Sequence, residues 1–126
     1  MDIRTILFVA FGGMAGAAAR WGLLEILPDN DSWPWQIFIV NMIGSCVLGV
    51  IVSRPFQRLS PRSISALATG LCGSFTTFSM FSLDLAELLR SQQIAVALTY
   101  LGLSVIGGLI LFLLSKSFFD RVGVSK

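Results

Sequence analysis

Apolar and polar positions alternate on a long scale in this chain. Four apolar runs, at residues 3–27, 35–52, 63–89 and 94–119, are separated by the short polar stretches "PDNDSWPW", "SRPFQRLSP" and "RSQQ". Each run is close to the ~20 apolar residues that an α-helix needs to cross a bilayer core. The second carries no charge, and the fourth carries none as far as Ser115. Arg20 interrupts the first. The connecting stretches hold the Pro, Asn, Asp and Ser that suit helix ends and turns. Trp33 and Trp35 stand at a span boundary, where interfacial aromatics collect. The pattern predicts an all-α membrane protein with four transmembrane helices in one domain.

Composition agrees with the pattern. Of 126 residues, 55% are hydrophobic and 13% are charged, where a soluble domain averages about 25% charged. A net charge of +2 with no basic patch gives no basis for nucleic-acid binding. The chain has no histidine, nucleophile–base pair or phosphate-binding loop, so an enzyme is not expected. Cys46 and Cys72 lie inside apolar runs and read as packing thiols. The N-terminal apolar run outlasts a signal-peptide core and is read as a retained span. Four spans put both termini on one side, with Arg4, Arg54, Arg58, Arg62, Lys116, Arg121 and Lys126. Arg90 and Arg20 fall opposite, which predicts cytoplasmic termini. Small residues recur four apart at Gly12/Gly16, Ser45/Gly49 and Ser104/Gly108, spacings that allow close helix approach in lipid. Four short helices can hardly enclose a pore and also shield it, so an oligomer is expected.

Polar groups within spans are costly and call for partners. Asn41 and Ser45 share a face of the second span, and Tyr100, Ser104 and Gly108 share a face of the fourth. Singly, each suits helix packing. Arg20 suits either a side chain snorkelling to the interface or an anion-attracting vestibule, with Glu25 and Asp84 as possible partners. The sharpest feature is "GLCGSFTTFSMFS", residues 70–82, in the third span. Gly73-Ser74 followed by Thr76-Thr77 predicts a break over 73–77. Such a break exposes carbonyls suited to a cation on one side and helix N–H groups on the other. Phe78 and Phe81 follow on one face, and an aromatic edge carries the partial positive charge that an anion can lie against.

These residues resemble the small bacterial fluoride channels, the Fluc or CrcB-like family, over essentially the whole chain. The resemblance rests on "GGMAGAAARW", "NMIGSCVLG", "GLCGSFTTFSMFS" and the Tyr100/Ser104 spacing, in that order. It implies an antiparallel, dual-topology dimer of four-helix subunits with two narrow pores in the bacterial cytoplasmic (inner) membrane. It also implies pore roles for Asn41, for the ring edges of Phe78 and Phe81, and for a polar track of Thr76, Thr77, Ser104 and Tyr100. The carbonyls of Gly73 and Thr76 would hold a structural sodium ion at the dimer axis, and Arg20 and Asp84 would lie in the vestibule. The implied function is passive export of toxic fluoride from the cytoplasm.

Three positions depart from the family pattern. Gly108 stands where some relatives have a hydroxyl, and Asp84 shortens a common glutamate. The charge bias favours one topology, which opens a heterodimer with a paralogous subunit, although a homodimer ranks first. A small proton-coupled multidrug exporter is the alternative transporter, but residues 5–19 lack the acid it needs. A non-transporting membrane assembly subunit is the third reading.

Overall fold

A computed structural model describes residues 2–28 and 33–124. The described residues form six α-helices, a 3-10 turn and a π-helical segment, and no strand occurs among them. Helix α1 spans Ile3–Ile26 and α2 spans Trp35–Ile51; a 3-10 turn follows at Arg54–Arg58. The third span is composite. It starts as α3 (Pro61–Ser65), widens into π-helical turns at Ala66–Cys72, and closes with α4 (Gly73–Phe75). After two extended residues it resumes as α5 (Phe78–Arg90), and α6 runs Ile94–Val124. Taken together, Ile3–Ile26, Pro61–Arg90 and Ile94–Gly123 are long and apolar enough to cross a membrane, while Trp35–Ile51 is apolar but shorter.

Local chemistry sets the ends. Asp2 caps α1 by accepting from the Thr5 N–H at 3.0 Å and from the Thr5 hydroxyl. Its second oxygen meets Arg62 Nη2 at 2.7 Å, which ties α1 to the start of α3. Ser60 caps α3 through the Ser63 N–H, with Pro61 in the first turn where no amide donor is missed. Gln36 Nε2 donates to the Leu27 and Leu24 carbonyls, at 2.9 and 3.3 Å, closing the end of α1 from α2.

The small residues of the spans pack within the subunit. A Cβ on Gly12 or Gly16 would run into the carbonyls of Ala66 or Leu71, so α1 lies directly on the π-helical turns. Gly49 meets Phe112 and Ser115, and Gly108 meets Ser45, which seats α2 against α6. These spacings therefore serve internal contacts. At one end of the bundle Ile37, Phe81, Leu88, Ala97 and Tyr100 form the core. Much of the remaining apolar surface faces outward, including Phe11, Trp21, Leu98, Ile106 and Phe118. Exposed apolar area on this scale marks contact with lipid or with another chain.

The charge of Arg20 interrupts the apolar run but not the helix, which continues through it. One expectation about the spans needs correction. The break in the third span is narrower than 73–77. Gly73 keeps helical angles (φ −64°, ψ −28°), and only Thr76 and Thr77 are extended, at ψ 158° and 109°.

Candidate functional site

At the break both threonine side chains bond the backbone. Thr76 Oγ1 donates to the Cys72 carbonyl at 2.9 Å, and the Thr76 N–H reaches the same oxygen at 3.0 Å. Thr77 then acts as the N-cap of α5, accepting from the Met80 N–H at 3.2 Å and sharing a hydrogen bond with Ser79. The N–H of Thr77 would be stranded, and Asn41 takes it while also reaching the Thr77 carbonyl, the first acceptor of the α5 ladder. Its Oδ1 accepts from the Thr77 N–H at 2.9 Å, and its Nδ2 donates to the Thr77 carbonyl at 3.3 Å. Asn41 thus gives the broken segment the pairing a neighbouring strand would give. Gly44, one turn on, lets α2 come this close, since a Cβ there would overlap Thr76 Cγ2.

A cavity of about 370 Å³ opens beside this junction, lined among others by Asn41, Ser45, Thr77, Phe78, Phe81 and Ser104. Thr76 and Gly73 also border it, and no charged side chain does. Its donors are neutral. Ser104 Oγ is buried without a hydrogen-bond partner among the described residues. Other in-span hydroxyls fold back onto carbonyls: Ser82 to Phe78, Thr99 to Ala95, and Ser115 to Cys46. The second amide hydrogen of Asn41 lies outside its two bonds to Thr77. Phe81 is buried and Phe78 is 81% exposed, with ring centroids 6.0 Å apart. The cavity therefore offers amide, hydroxyl and ring-edge donors, with the N-terminus of α5 beside them. This set suits a small anion held without a formal countercharge.

Tyr100 departs from its expected place on the polar track. Its ring is fully buried in the core, 5.1 Å from Phe81 and 5.7 Å from Trp33 by centroid, outside the cavity lining. Its hydroxyl donates to Asp84 Oδ2 at 3.1 Å, so Asp84 supports the wall behind Phe81. Arg20 is half-buried, does not line the cavity, and belongs to neither the Arg62–Asp2 nor the Lys116–Asp120 ion pair. Ser45 and Met42 join the lining without having been singled out as site residues. Position 45 had a legible signal, one helical turn from Asn41. Met42 had none, since a methionine in a span usually packs.

The break also bears on a cation. In an unbroken helix the Thr77 N–H would bond the Gly73 carbonyl, but here it is turned to Asn41. Gly73 is exposed and has open space where a side chain would stand. Its released carbonyl fits a hard cation, which prefers oxygen ligands.

Residues 7–116 match the family described as CrcB-like protein, Camphor Resistance (CrcB). A fluoride-specific ion channel of Chlorobium phaeobacteroides is 38% identical over 124 residues, covering 96% of this chain and 95% of its own. One from Leptospira interrogans is 38% identical over 111 residues, covering 84% and 87%. One from Stutzerimonas stutzeri is 38% identical over 114 residues, covering 86% and 90%.

Proposed function

The chain belongs to the CrcB-like protein family, and on that premise we propose that it is a fluoride-selective channel. The observation that carries the reading is the unpartnered Ser104 hydroxyl, buried in a wall of neutral donors. Fluoride is small and strongly hydrated, so it enters a membrane only where donors replace its water. Ser104 and the free hydrogen of Asn41 donate directly, and the edges of Phe78 and Phe81 add diffuse positive potential. With no lysine or arginine in the lining, the ion is not trapped, as conduction requires. Movement is passive and follows the gradient, so a fluoride-loaded cell exports the ion through its inner membrane.

The working unit in this reading is an antiparallel dimer, with a homodimer ranked ahead of a heterodimer. Supporting it, Phe78 stands almost fully exposed at the open side of the cavity, where a second subunit would complete the wall. The carbonyls of Gly73 and Thr76 would hold a structural sodium ion where the subunits meet. Bound there, the ion would neutralise facing carbonyl dipoles and join the two breaks.

Fluoride efflux from proteoliposomes, with chloride as control, tests the assignment. Rapid fluoride loss with chloride retained is the expected result. Absence of fluoride flux from folded protein would overturn it, and equal chloride flux would overturn its selectivity. Sodium-free protein is expected to lose dimer stability and flux together, and to recover both on adding sodium.

A further inference from the structure

The last turns of α6 and the 3-10 turn Arg54–Arg58 border a second, open cavity of about 550 Å³. It is lined by Arg54, Leu113, Lys116, Ser117, Asp120 and Arg121. Three cations against one carboxylate leave this lining at +2. Basic surface at a helix end is usually just solvated, so the wiring of the acid matters. Both oxygens of Asp120 are taken: Oδ1 accepts from the Arg54 backbone N–H at 2.6 Å, and Oδ2 accepts from Lys116 Nζ at 2.7 Å. The carboxylate is a strut between turn and helix, and the two guanidiniums are left outside its bonds. Pro55, seated against Gly123, holds the turn in place from the other side.

Position makes the charge specific. With 31 residues, α6 is about 46 Å long, well beyond the ~30 Å hydrocarbon core. Its charged end therefore projects into the headgroup layer. One stripe of α6 runs from Arg121 and Ser117 through Leu113 to Ile110 and Ile106, at steps of three and four residues. Leu113, Ile110 and Ile106 are all exposed. A cationic cradle thus leads directly onto an apolar track, which is the polarity pattern of a phospholipid.

We propose that this cavity binds the phosphodiester of an anionic phospholipid, with an acyl chain lying along Leu113, Ile110 and Ile106. Planar guanidiniums suit phosphate oxygens, which they engage in pairs. The uncompensated charge selects an anionic lipid over a zwitterionic one, whose own ammonium group the cradle repels. Juxtamembrane cations are each worth about fivefold in binding to anionic lipid, so removing both guanidiniums costs roughly 20- to 30-fold. The inference rests on the chain lying in a membrane but is independent of fluoride conduction, because its readout is bound lipid.

The test is native mass spectrometry of the full chain after equilibration in mixed micelles of phosphatidylglycerol and phosphatidylcholine. Wild-type protein is expected to retain phosphatidylglycerol preferentially. Arg54→Gln with Arg121→Gln is expected to lose that preference by roughly 20- to 30-fold. Arg4→Gln with Arg90→Gln removes the same charge elsewhere and is expected to keep it. Equal retention of both lipids by wild-type protein would overturn the proposal, whether or not the variants fold. Equal losses in the two double variants would also overturn it. Displacement of the lipid by inorganic phosphate, but not by sodium chloride of matched ionic strength, would reassign the cavity to free phosphate and overturn the lipid assignment.

Discussion

Replacing Ser104 by alanine separates the two jobs a buried hydroxyl can have. A packing hydroxyl bonds to the protein, and its loss destabilises the fold. The Ser104 oxygen is buried with no partner among the described residues, while Ser82, Thr99 and Ser115 each bond a carbonyl. A buried polar group without a partner costs about 1–3 kcal/mol, so alanine is expected to leave stability unchanged or raise it by up to about 1 kcal/mol. For the ion the sign reverses. A hydrogen bond to a charged group contributes about 1.5–3 kcal/mol, so losing it from the conducting path slows flux by roughly 10- to 100-fold. The assay is initial fluoride efflux from liposomes, run beside thermal unfolding of the same preparation. A variant that conducts within about twofold of the parent and is destabilised by more than about 1 kcal/mol would refute the reasoning. The hydroxyl would then be a packing group.

Two further predictions concern the junction and the N-terminus. Asn41→Leu strips the Thr77 N–H of its acceptor and the Thr77 carbonyl of its second donor, and is expected to cost about 1–3 kcal/mol in unfolding measurements. Asn41→Asp, which keeps the acceptor for the Thr77 N–H, should recover part of that, and a loss below about 0.5 kcal/mol for leucine would contradict the pairing. At the N-terminus, the Thr5 hydroxyl foremost, then Arg62, lowers the Asp2 carboxyl from 3.8 to about 2. Because the folded-state value is the lower one, the tether contributes fully above pH 3.8 and is lost as pH falls to about 2. Carboxyl NMR titration should find the midpoint near 2, rising further in Thr5→Val than in Arg62→Gln. A wild-type midpoint at 3.8 would remove the tether.

The helices were legible because long apolar runs end at short polar, turn-forming stretches. The expected second span, 35–52, and α2 at Trp35–Ile51 differ by one residue. The break was legible as an event but misplaced in detail. Glycine suggested backbone freedom at 73, yet Gly73 is helical, and the turn comes at Thr76 and Thr77, where Asn41 takes the Thr77 N–H and Thr77 caps the helix that follows. Tyr100 shares a helix face with Ser104, but its longer side chain reaches Asp84 and the rings of Phe81 and Trp33 instead of the cavity. That choice depends on partners distant in the chain, which periodicity along one helix does not encode. The π-helical turns left no signal for the same reason. They exist where the backbone of α1 presses against residues 66–71.

Those widened turns have a consequence for phase. One residue inserted into an α-helix rotates everything after it by about 100°, and π-helical turns are how a helix absorbs such an insertion. The segment Ala66–Cys72 therefore works as a phase shifter between two fixed surfaces. On one side α3 is anchored through Arg62 to Asp2, and on the other Thr77 is clasped by Asn41. With both ends held, the residue count between them determines where the Gly73 carbonyl and the Phe78 ring point. The length of this stretch is thus a structural parameter in its own right. Shortening it by one residue would leave its chemistry almost untouched and aim it in the wrong direction.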